Sequence, residues 1–318
     1  MSDQRQMMLV VNPSAGHGRT GRNWPRLKDY LHQHGLSFDW AMTERPLHAT
    51  ELTREALKAG YRCVVAVGGD GTLNEVVNGF FEGTTPIAPE ARCGLISTGT
   101  GSDFRRTFGW SKDLRAAVQR FTSSDFLEVD VGVVSCVDRD GRQVQRLFIN
   151  VVDLGVGGET VVRVESGSKA LGGFLTFFWG VLATLATFRN KQVKLTLDGE
   201  EVFDGRVASV LVANGAYCAG GMHVAPGASP CDGRFDIIVV GDMPRLQLLA
   251  ALPSMYWGGH LRLKKVSRYS AREVEVCTQE HMLLQADGEL LGTAPARFRI
   301  LPRALRVQTG RHPPFSRA

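Results

Sequence analysis

The residues with the clearest chemical content are Gly68-Gly69-Asp70-Gly71-Thr72, which follow the apolar run Val64–Val67. A short, valine-rich run is typical of a strand that is buried on both faces. The residues after the glycines have apolar side chains at helical spacing. A strand that ends in glycines and enters a helix directs free backbone N–H groups and the positive end of the helix dipole at one point. The stretch therefore predicts an anion site, most often one for phosphate.

Asp70 is the residue that does not suit a plain phosphate site. A carboxylate repels phosphate unless a divalent cation lies between them or a proton is being moved. We therefore expect metal-assisted phosphoryl transfer. Thr72 and Glu75 have the three-residue spacing of a capping box, so we expect them to cap the start of the helix.

Two further loops have a related design. The predicted strand Cys93–Ile96 runs into Ser97-Thr98-Gly99-Thr100-Gly101-Ser102-Asp103-Phe104, again with glycines, hydroxyls and an aspartate. The first strand, Met7–Val11, is followed by Asn12-Pro13 and a glycine-rich segment, which is either a phosphate contact or an ordinary turn. Loops at the ends of parallel strands can converge on one site. Unrelated turns remain the alternative.

The elements that must position these loops alternate. Helices are predicted over Arg22–His34 and Ala49–Ala59, and a strand over Ser37–Met42. This order predicts a parallel sheet covered by helices. After Phe126 strands dominate, which predicts a second, mostly antiparallel domain of sandwich or barrel type. The later predicted strands are Leu147–Val152, Val193–Leu197, Arg206–Val212, Phe235–Val240, Glu273–Cys277, Met282–Gln285 and Phe298–Leu301. Turns are predicted at Asp140-Gly141, Asp198-Gly199, Asp232-Gly233 and Asp287-Gly288.

Composition narrows the class of protein. The 318 residues suit two domains, and 43% apolar and 22% charged residues are ordinary for a globular chain. The net charge of +5 favours an anionic partner, but no dense basic run or motif indicates nucleic acid. The six cysteines have no CxxC spacing, so we expect free thiols and no zinc. The polar residues 1–6 do not resemble a signal peptide, which predicts a cytoplasmic location.

No charged residue occurs from Ala170 to Phe188, a length usual for a spanning helix. The threonines and the glycine pair within this stretch favour a buried or membrane-touching helix instead of a spanning one. The aromatic and aliphatic side chains could line an acyl pocket or could be plain core; they are Phe174, Phe177, Phe178, Trp179, Val181, Leu182 and Leu185. Trp257 and the basic segment Arg262–Lys265 could contact anionic headgroups, or form a solvated loop.

Three motifs taken together resemble the diacylglycerol kinase catalytic-domain family. They are Gly68-Gly69-Asp70-Gly71-Thr72-Leu73-Asn74-Glu75, Gly99-Thr100-Gly101-Ser102-Asp103-Phe104 and Asp287-Gly288-Glu289. The first alone is unspecific, because NAD kinases and phosphofructokinases have similar loops. The resemblance runs nearly end to end. It includes Asn12-Pro13, Val129-Asp130, Asn214-Gly215, Ala225-Pro226-Gly227-Ala228 and Asp232-Gly233.

The resemblance implies an α/β plus β fold. Residues 1–130 would form a nucleotide-binding, NAD-kinase-like α/β domain. Residues 131–318 would form a mostly antiparallel β-sandwich domain for the lipid, with the active site in the cleft between the domains, and the last strand could return to the first domain. The implied reaction is an ATP- and Mg²⁺-dependent phosphorylation of a lipid hydroxyl, such as that of diacylglycerol. The inner membrane face is then the expected place of action, and a homodimer is left open.

The resemblance also implies site residues. The ATP contacts would be Asn12, Thr43, Gly68, Gly69, Asp70, Gly71, Thr72, Leu73, Asn74 and Thr100. Asp70, Asp103 and Asp130 would surround Mg²⁺ and ordered water. A second Mg²⁺ site would use Asp232 with the main-chain carbonyls of Ser229 and Arg234, although Cys231 replaces a common acidic residue there. Ser102 and Arg105 are further departures from the family's pattern.

The general base would be Asp287 or Glu289, and we favour Asp287. Taken singly, each acid also has a purely structural interpretation. Asp287-Gly288 would be an ordinary hairpin turn, Asp130 a solvated strand residue and Asp103 a helix cap. Three functions stay open on the sequence alone. The first is a lipid kinase, whose acceptor is diacylglycerol, a sphingoid base or ceramide. The second is a soluble-substrate kinase such as an NAD kinase. The third is a nucleotide-binding module whose acidic residues have no catalytic role.

Overall fold

The computed structural model describes residues 7–99, 101–166 and 173–310. The chain divides into two units. The first comprises residues 1–131 and 302–318, and the second comprises residues 132–301. The chain enters the second unit within one long strand and returns to the first within another, which are β7 and β16 below.

The helices are α1 Arg19–Gln33, α2 His48–Lys58, α3 Asp70–Gly79, α4 Asp103–Thr107, α5 Leu114–Thr122, α6 Val156–Ser166, α7 Gly173–Thr187 and α8 Arg245–Ala251. Short 3₁₀ helices cover Leu252–Tyr256 and Gly259–Arg262. The strands are β1 Met7–Val11, β2 Asp39–Met42, β3 Cys63–Gly68, β4 Phe81–Glu82, β5 Thr85–Pro86, β6 Arg92–Ser97, β7 Phe126–Val137, β8 Gln143–Phe148, β9 Val151–Gly155, β10 Lys191–Leu197, β11 Glu200–Ala213, β12 Phe235–Gly241, β13 Val266–Ala271, β14 Glu273–Cys277, β15 Leu283–Ala286 and β16 Glu289–Gln308.

The first unit is built on a parallel sheet in the order β2-β1-β3-β6-β16. The C-terminal end of β16 joins it through Arg306 and Val307, opposite Arg92 and Cys93 of β6. Every residue of β3 is buried, as a valine-rich strand covered on both faces requires. The predicted strands and helices of this unit are present; β1 has the predicted bounds, and the ends of the others differ by at most three residues. All carboxyl ends of these parallel strands lie along one edge of the sheet.

The second unit is an antiparallel sheet in the order β13-β12-β11-β10-β14-β16, using the N-terminal part of β16. β9 lies between β11 and β15, and β8 pairs with β7. The predicted single strand Leu147–Val152 is wrong. It is the end of β8 and the start of β9, separated at Ile149 and Asn150, because backbone N–H groups in this segment bond to a side chain and not to a neighbouring strand.

The predicted apolar helix is α7, whose 15 residues are fewer than a bilayer requires. Among the residues that the structure describes, no helix has both the length and the apolarity to cross a membrane. Val181 and Leu185 are buried, whereas Trp179 is 59% exposed. Ala170 and the side chains of Phe174, Phe177 and Phe178 lie outside the described part of the chain.

Candidate active site

The loops predicted to bind phosphate leave one edge of the first unit's sheet. The backbone N–H of Thr43 donates to Val11, and that of Asn12 donates to Val67. The N–H groups of Thr98 and Gly99 both donate to the carbonyl of Gly68, at 2.9 and 3.2 Å. The structure therefore brings Asn12, Thr43, the Gly68 loop and the Thr98 loop together at the carboxyl ends of β1, β2, β3 and β6. Thr100 lies outside the described residues.

Glycine is required where two of these loops touch. A Cβ atom on Gly99 would lie 2.6 Å from the Cα atom of Gly69, which is closer than real Cβ contacts come. A Cβ atom on Gly68 would meet the Thr72 hydroxyl at 2.3 Å. Gly69, in contrast, would place its Cβ 3.6 Å from Gly99, an ordinary contact. The two backbones are packed directly, and only small residues permit this arrangement.

The predicted capping box is wrong. α3 begins at Asp70 after Gly69, and no side chain caps it. The Thr72 hydroxyl instead accepts a hydrogen bond from the Asn12 amide at 3.0 Å, which ties the β1 loop to the glycine loop. The Glu75 carboxylate accepts from the backbone N–H of Ala49, the second residue of α2, at 3.1 Å. Because α3 has no side-chain cap, the N–H groups of its first turn are available to a ligand.

Asp70 has a structural partner that the sequence did not indicate. Its two oxygens accept hydrogen bonds from the backbone N–H groups of Asp103 and Phe104, each at 3.1 Å. These N–H groups form the first turn of α4, where the helix dipole favours a negative charge. Asp70 therefore connects the first glycine loop to the second. Its negative charge, which does not suit a plain phosphate site, is stabilised by the N–H groups at the start of α4.

The other two predicted acids of this set differ in role. Asp103 is the first residue of α4 and its carboxylate pairs with Arg106 at 3.1 Å. Asp130 is fully buried and accepts from the backbone N–H of Arg303 at 2.8 Å. The reading of Asp130 as a solvated strand residue is wrong, because it ties β7 to a residue of β16 with a positive φ.

In the second unit, Asp287 and Gly288 form the two-residue turn between β15 and β16, and both have positive φ. The ordinary-turn reading is thus correct as geometry, but it is incomplete. The Asp287 carboxylate accepts from three consecutive backbone N–H groups, of Ile149, Asn150 and Val151, at 2.9–3.1 Å. Three donors from one short segment fix the orientation of this carboxylate.

Glu289 is the first residue of β16. Its carboxylate is about half exposed and pairs with Arg146 of β8 at 3.2 Å. Arg146 was not predicted, because it is 143 positions away in the chain and no local pattern marks it.

The turn at Asp232 forms locally. The Asp232 carboxylate accepts from the backbone N–H of Arg234 at 3.0 Å, and Gly233 has φ of 74°. Asp232 is exposed and Ser229 is half-buried. The Arg234 guanidinium pairs with Asp198 and donates to the hydroxyl of Ser270. The turn is therefore held by a hydrogen bond of its own and by the contacts of Arg234 with Asp198 and Ser270.

The carboxylates of Asp70 and Asp103 suit one kind of Mg²⁺ site. Within the described ranges, no three acidic, histidine or cysteine side chains are grouped closely enough to hold a metal ion. Asp70 and Asp103 are nevertheless adjacent, at the edge where phosphate is expected. Mg²⁺ at nucleotide sites is commonly held by one or two carboxylates together with phosphate oxygens. This pair therefore fits a nucleotide-bound Mg²⁺, but not a cage made of protein alone.

Two polar residues near the Asp287 turn were missed. Asn150 is buried, and its side-chain oxygen has no hydrogen-bond partner among the described residues. Asp153 lies on β9 opposite Gln285, and one of its carboxyl oxygens is also buried without a hydrogen-bond partner among the described residues. Each of these residues is a polar residue within an apolar segment, and this pattern could have indicated a buried polar group. Asn150 directly follows Phe148-Ile149, and Asp153 lies within the apolar run from Val151 to Leu154.

Burial raises the pKa of the Asp153 carboxyl to about 7, against hydrogen bonds from Ser209 and Gly157 that lower it. The buried carboxyl is thus protonated in the folded protein up to nearly neutral pH, whereas its usual pKa is 3.8. Because the charged form is disfavoured on folding, the wild-type protein loses stability as the pH rises from about 4 to about 7.

We expect Asp153→Asn to remove this loss. The variant should match the wild type near pH 4 and exceed it at pH 8, by on the order of 4 kcal/mol in the free energy of unfolding. Chemical denaturation at several pH values measures the difference. The exposed Glu200→Gln is the control, and its difference from the wild type should not change over this range. A difference for Asp153→Asn that stays flat or shrinks with rising pH would contradict the assignment.

Comparison with known proteins agrees with the geometry. The diacylglycerol kinase catalytic domain matches residues 6–134. The YegS C-terminal NAD kinase beta sandwich-like domain matches residues 150–309. The chain is 30% identical over 310 residues to the diacylglycerol kinase of Staphylococcus carnosus, covering 96% of this chain and 95% of the relative.

Solved structures show the same fold. A diacylglycerol kinase from Bacillus anthracis superimposes with a TM-score of 0.70 at 21% identity, covering 98% of this chain and 99% of that one. An NAD kinase from Archaeoglobus fulgidus in complex with ATP gives 0.50 at 16% identity, covering 96% and 94%. The predicted NAD-kinase-like α/β domain and β-sandwich domain are confirmed. The chain is a kinase and belongs to the diacylglycerol kinase catalytic-domain family, a family of lipid kinases.

Proposed function

We propose that this chain transfers the terminal phosphoryl group of ATP to a hydroxyl of a membrane lipid, with diacylglycerol as the first acceptor to test. The observation that carries the proposal is the direct packing of Gly69 on Gly99 at the carboxyl ends of β3 and β6. Two backbones without side chains, beside a helix start with no side-chain cap, form a surface on which a polyphosphate can lie against N–H groups. The relative from Staphylococcus carnosus, a diacylglycerol kinase, supports the acceptor.

The residues of the first unit would hold the nucleotide. Gly68 to Asn74 would contact the phosphates, and Asn12 would fix the loop through Thr72. Thr43 and Thr98 flank this loop. Bound Mg²⁺, held by Asp70 and phosphate oxygens with Asp103 nearby, would neutralise charge on the phosphates. Asp130 would keep β7 and β16 in place.

The residues of the second unit would act on the lipid. Asp287 would accept the proton of the attacking hydroxyl, with its carboxylate oriented by three backbone N–H groups. Asn150 would help to orient Asp287 through its backbone N–H, which donates to the carboxylate at 3.0 Å. Asp232, with the main-chain carbonyls of Ser229 and Arg234, would hold a second Mg²⁺ only weakly, because its carboxylate is exposed and already accepts from the N–H of Arg234.

Exposed apolar side chains of the second unit are suited to a lipid surface. Leu246 of α8 is 81% exposed, Trp257 is 67% exposed, and Trp179 of α7 is 59% exposed. Arg262, Lys264 and Lys265 are exposed close by in sequence. Tryptophan and basic side chains together favour the interface of an anionic membrane. We propose peripheral binding at such a surface.

The test is a transfer assay with [γ-³²P]ATP and mixed micelles of diacylglycerol, sphingosine, ceramide or phosphatidylglycerol, with NAD in a parallel reaction. Mg²⁺-dependent label in the organic phase, lost with EDTA, is the expected result, and the lipid that accepts it names the substrate. Label only on NAD would replace the proposal with an NAD kinase function. Binding of ATP without any transfer would refute the kinase reaction with these acceptors.

A second test separates the metal role of Asp70 from its contact with α4. We expect Asp70→Asn to raise the Mg²⁺ concentration for half-maximal activity by about 10-fold or more. The control is Asp113→Asn, because Asp113 caps α5 through the N–H of Arg115 at 3.0 Å. Because asparagine caps a helix about as well as aspartate, the control should leave both the melting temperature and the Mg²⁺ requirement nearly unchanged. An unchanged Mg²⁺ requirement in Asp70→Asn would leave Asp70 with the structural role alone.

A further inference from the structure

A cavity of about 580 Å³ lies in the first unit, and no residue of the glycine-rich loops lines it. Its walls are formed by the segment between α4 and α5, by one face of α5 and by Gly310. The lining residues used below are Trp110, Ala116, Gln119 and Arg120. No aspartate or glutamate is among the described residues that line it.

Arg120 is the unusual residue of this cavity. It is only 7% exposed, yet within the described part of the chain no carboxylate pairs with it. Its guanidinium donates one hydrogen bond, to the carbonyl of Leu95 at 3.3 Å, and lies 4.6 Å from the centre of the Trp110 ring. A guanidinium has five N–H donors, so most of its hydrogen-bonding capacity is not used by these contacts.

A second guanidinium increases the positive charge. Arg105 of α4 donates to the carbonyl of Trp110, and its Nε is buried without a partner among the described residues. Burial, together with a smaller repulsion from Arg105, lowers the pKa of Arg120 to about 10. Buried charges are normally paired, because a charge without a counter-ion is costly away from water. Arg120 therefore lacks the anion that its surroundings favour, whereas Arg105 is also attracted by the carboxylates of Asp70 and Asp103.

We propose that the cavity binds a small anion that carries a phosphate or carboxylate group, with Arg120 as its main counter-charge. A planar guanidinium suits either group through paired hydrogen bonds. The guanidinium packs over the Trp110 ring, and the Gln119 amide offers further hydrogen bonds. This site is distinct from the proposed nucleotide loop and does not depend on the lipid kinase reaction.

The test exploits the position of Ala116, one helical turn before Arg120 on the same face of α5. Ala116→Glu would place a carboxylate at the four-residue spacing that favours pairing with a following arginine. It supplies a counter-ion within the chain and fills part of the cavity. Ala116→Gln has nearly the same size without the charge, and is the matched control.

Thermal unfolding of the full chain is measured with sodium phosphate, phenyl phosphate or benzoate, each against sodium chloride at equal ionic strength. At ten times its dissociation constant, a binding anion should raise the melting temperature of the wild type by about 2–4 °C. Ala116→Glu should lose this shift, and Ala116→Gln should keep most of it. A response to the phosphates alone identifies a phosphate ligand, and a response to benzoate alone identifies a carboxylate.

An absence of any shift in the wild type would overturn the proposal. Equal shifts in all three proteins would also overturn it, because the anion would then bind elsewhere, such as at the glycine loops. Transfer of label from ATP to lipid by Ala116→Gln should equal that of the wild type. The failure of anion binding in the cavity is therefore distinguishable from the failure of the proposed kinase function.

Discussion

Replacement of Asp287 by asparagine should lower kcat by about 10²–10⁴-fold and leave the affinity for ATP close to that of the wild type. The expectation follows from a proton acceptor whose carboxylate is oriented by the backbone N–H groups of Ile149, Asn150 and Val151. An asparagine keeps one acceptor oxygen but cannot take the proton. The mixed-micelle assay gives kcat, and calorimetric titration gives the affinity for ATP.

Glu289→Gln is the matched control for this prediction. Its carboxylate is about half exposed in a pair with Arg146, and exposed ion pairs contribute little to stability. We expect a loss of activity below about 10-fold if Asp287 is the base. A larger loss for Glu289→Gln than for Asp287→Asn would transfer the role of base to Glu289. Melting temperatures of both variants separate a loss of catalysis from a loss of the turn.

The second large effect concerns Gly99. Gly99→Ala should reduce kcat/KM for ATP by about 10²-fold, because its methyl group would meet the Gly69 backbone at 2.6 Å and displace the glycine loop. The clash is between backbone atoms and a fixed methyl group, so no rotation of a side chain relieves it. Steady-state kinetics with varied ATP measures the effect, and the melting temperature should fall as well.

Gly69→Ala is the informative partner of this variant. Its methyl group would make only an ordinary contact with Gly99 at 3.6 Å, so the melting temperature should stay within about 1 °C of the wild type. The KM for ATP should nevertheless rise by about 10-fold, since a glycine in such a loop lets phosphate approach the backbone. An unchanged KM would show that the phosphates do not lie on this loop.

Local patterns predicted much of the architecture. The bounds of β14 were predicted without error, and the Asp198-Gly199 and Asp287-Gly288 turns have the positive φ angles that their residue types favour. These features depend on residues close together in the chain, because alternation and turn chemistry are short-range effects. The break between β8 and β9 was missed, because it depends on Asp287, 138 positions from Ile149.

The sequence by itself determined the loops, their glycines and the acids that a phosphoryl transfer site needs, because residue type and spacing set the chemistry available. Only the tertiary structure decided what those acids touch. Asp70 contacts the start of α4, Thr72 contacts Asn12 and not its own helix, and Asp287 contacts the segment before β9. The physical reason is that a polar side chain bonds to whichever donor the fold brings near, and packing over long sequence distances makes that choice.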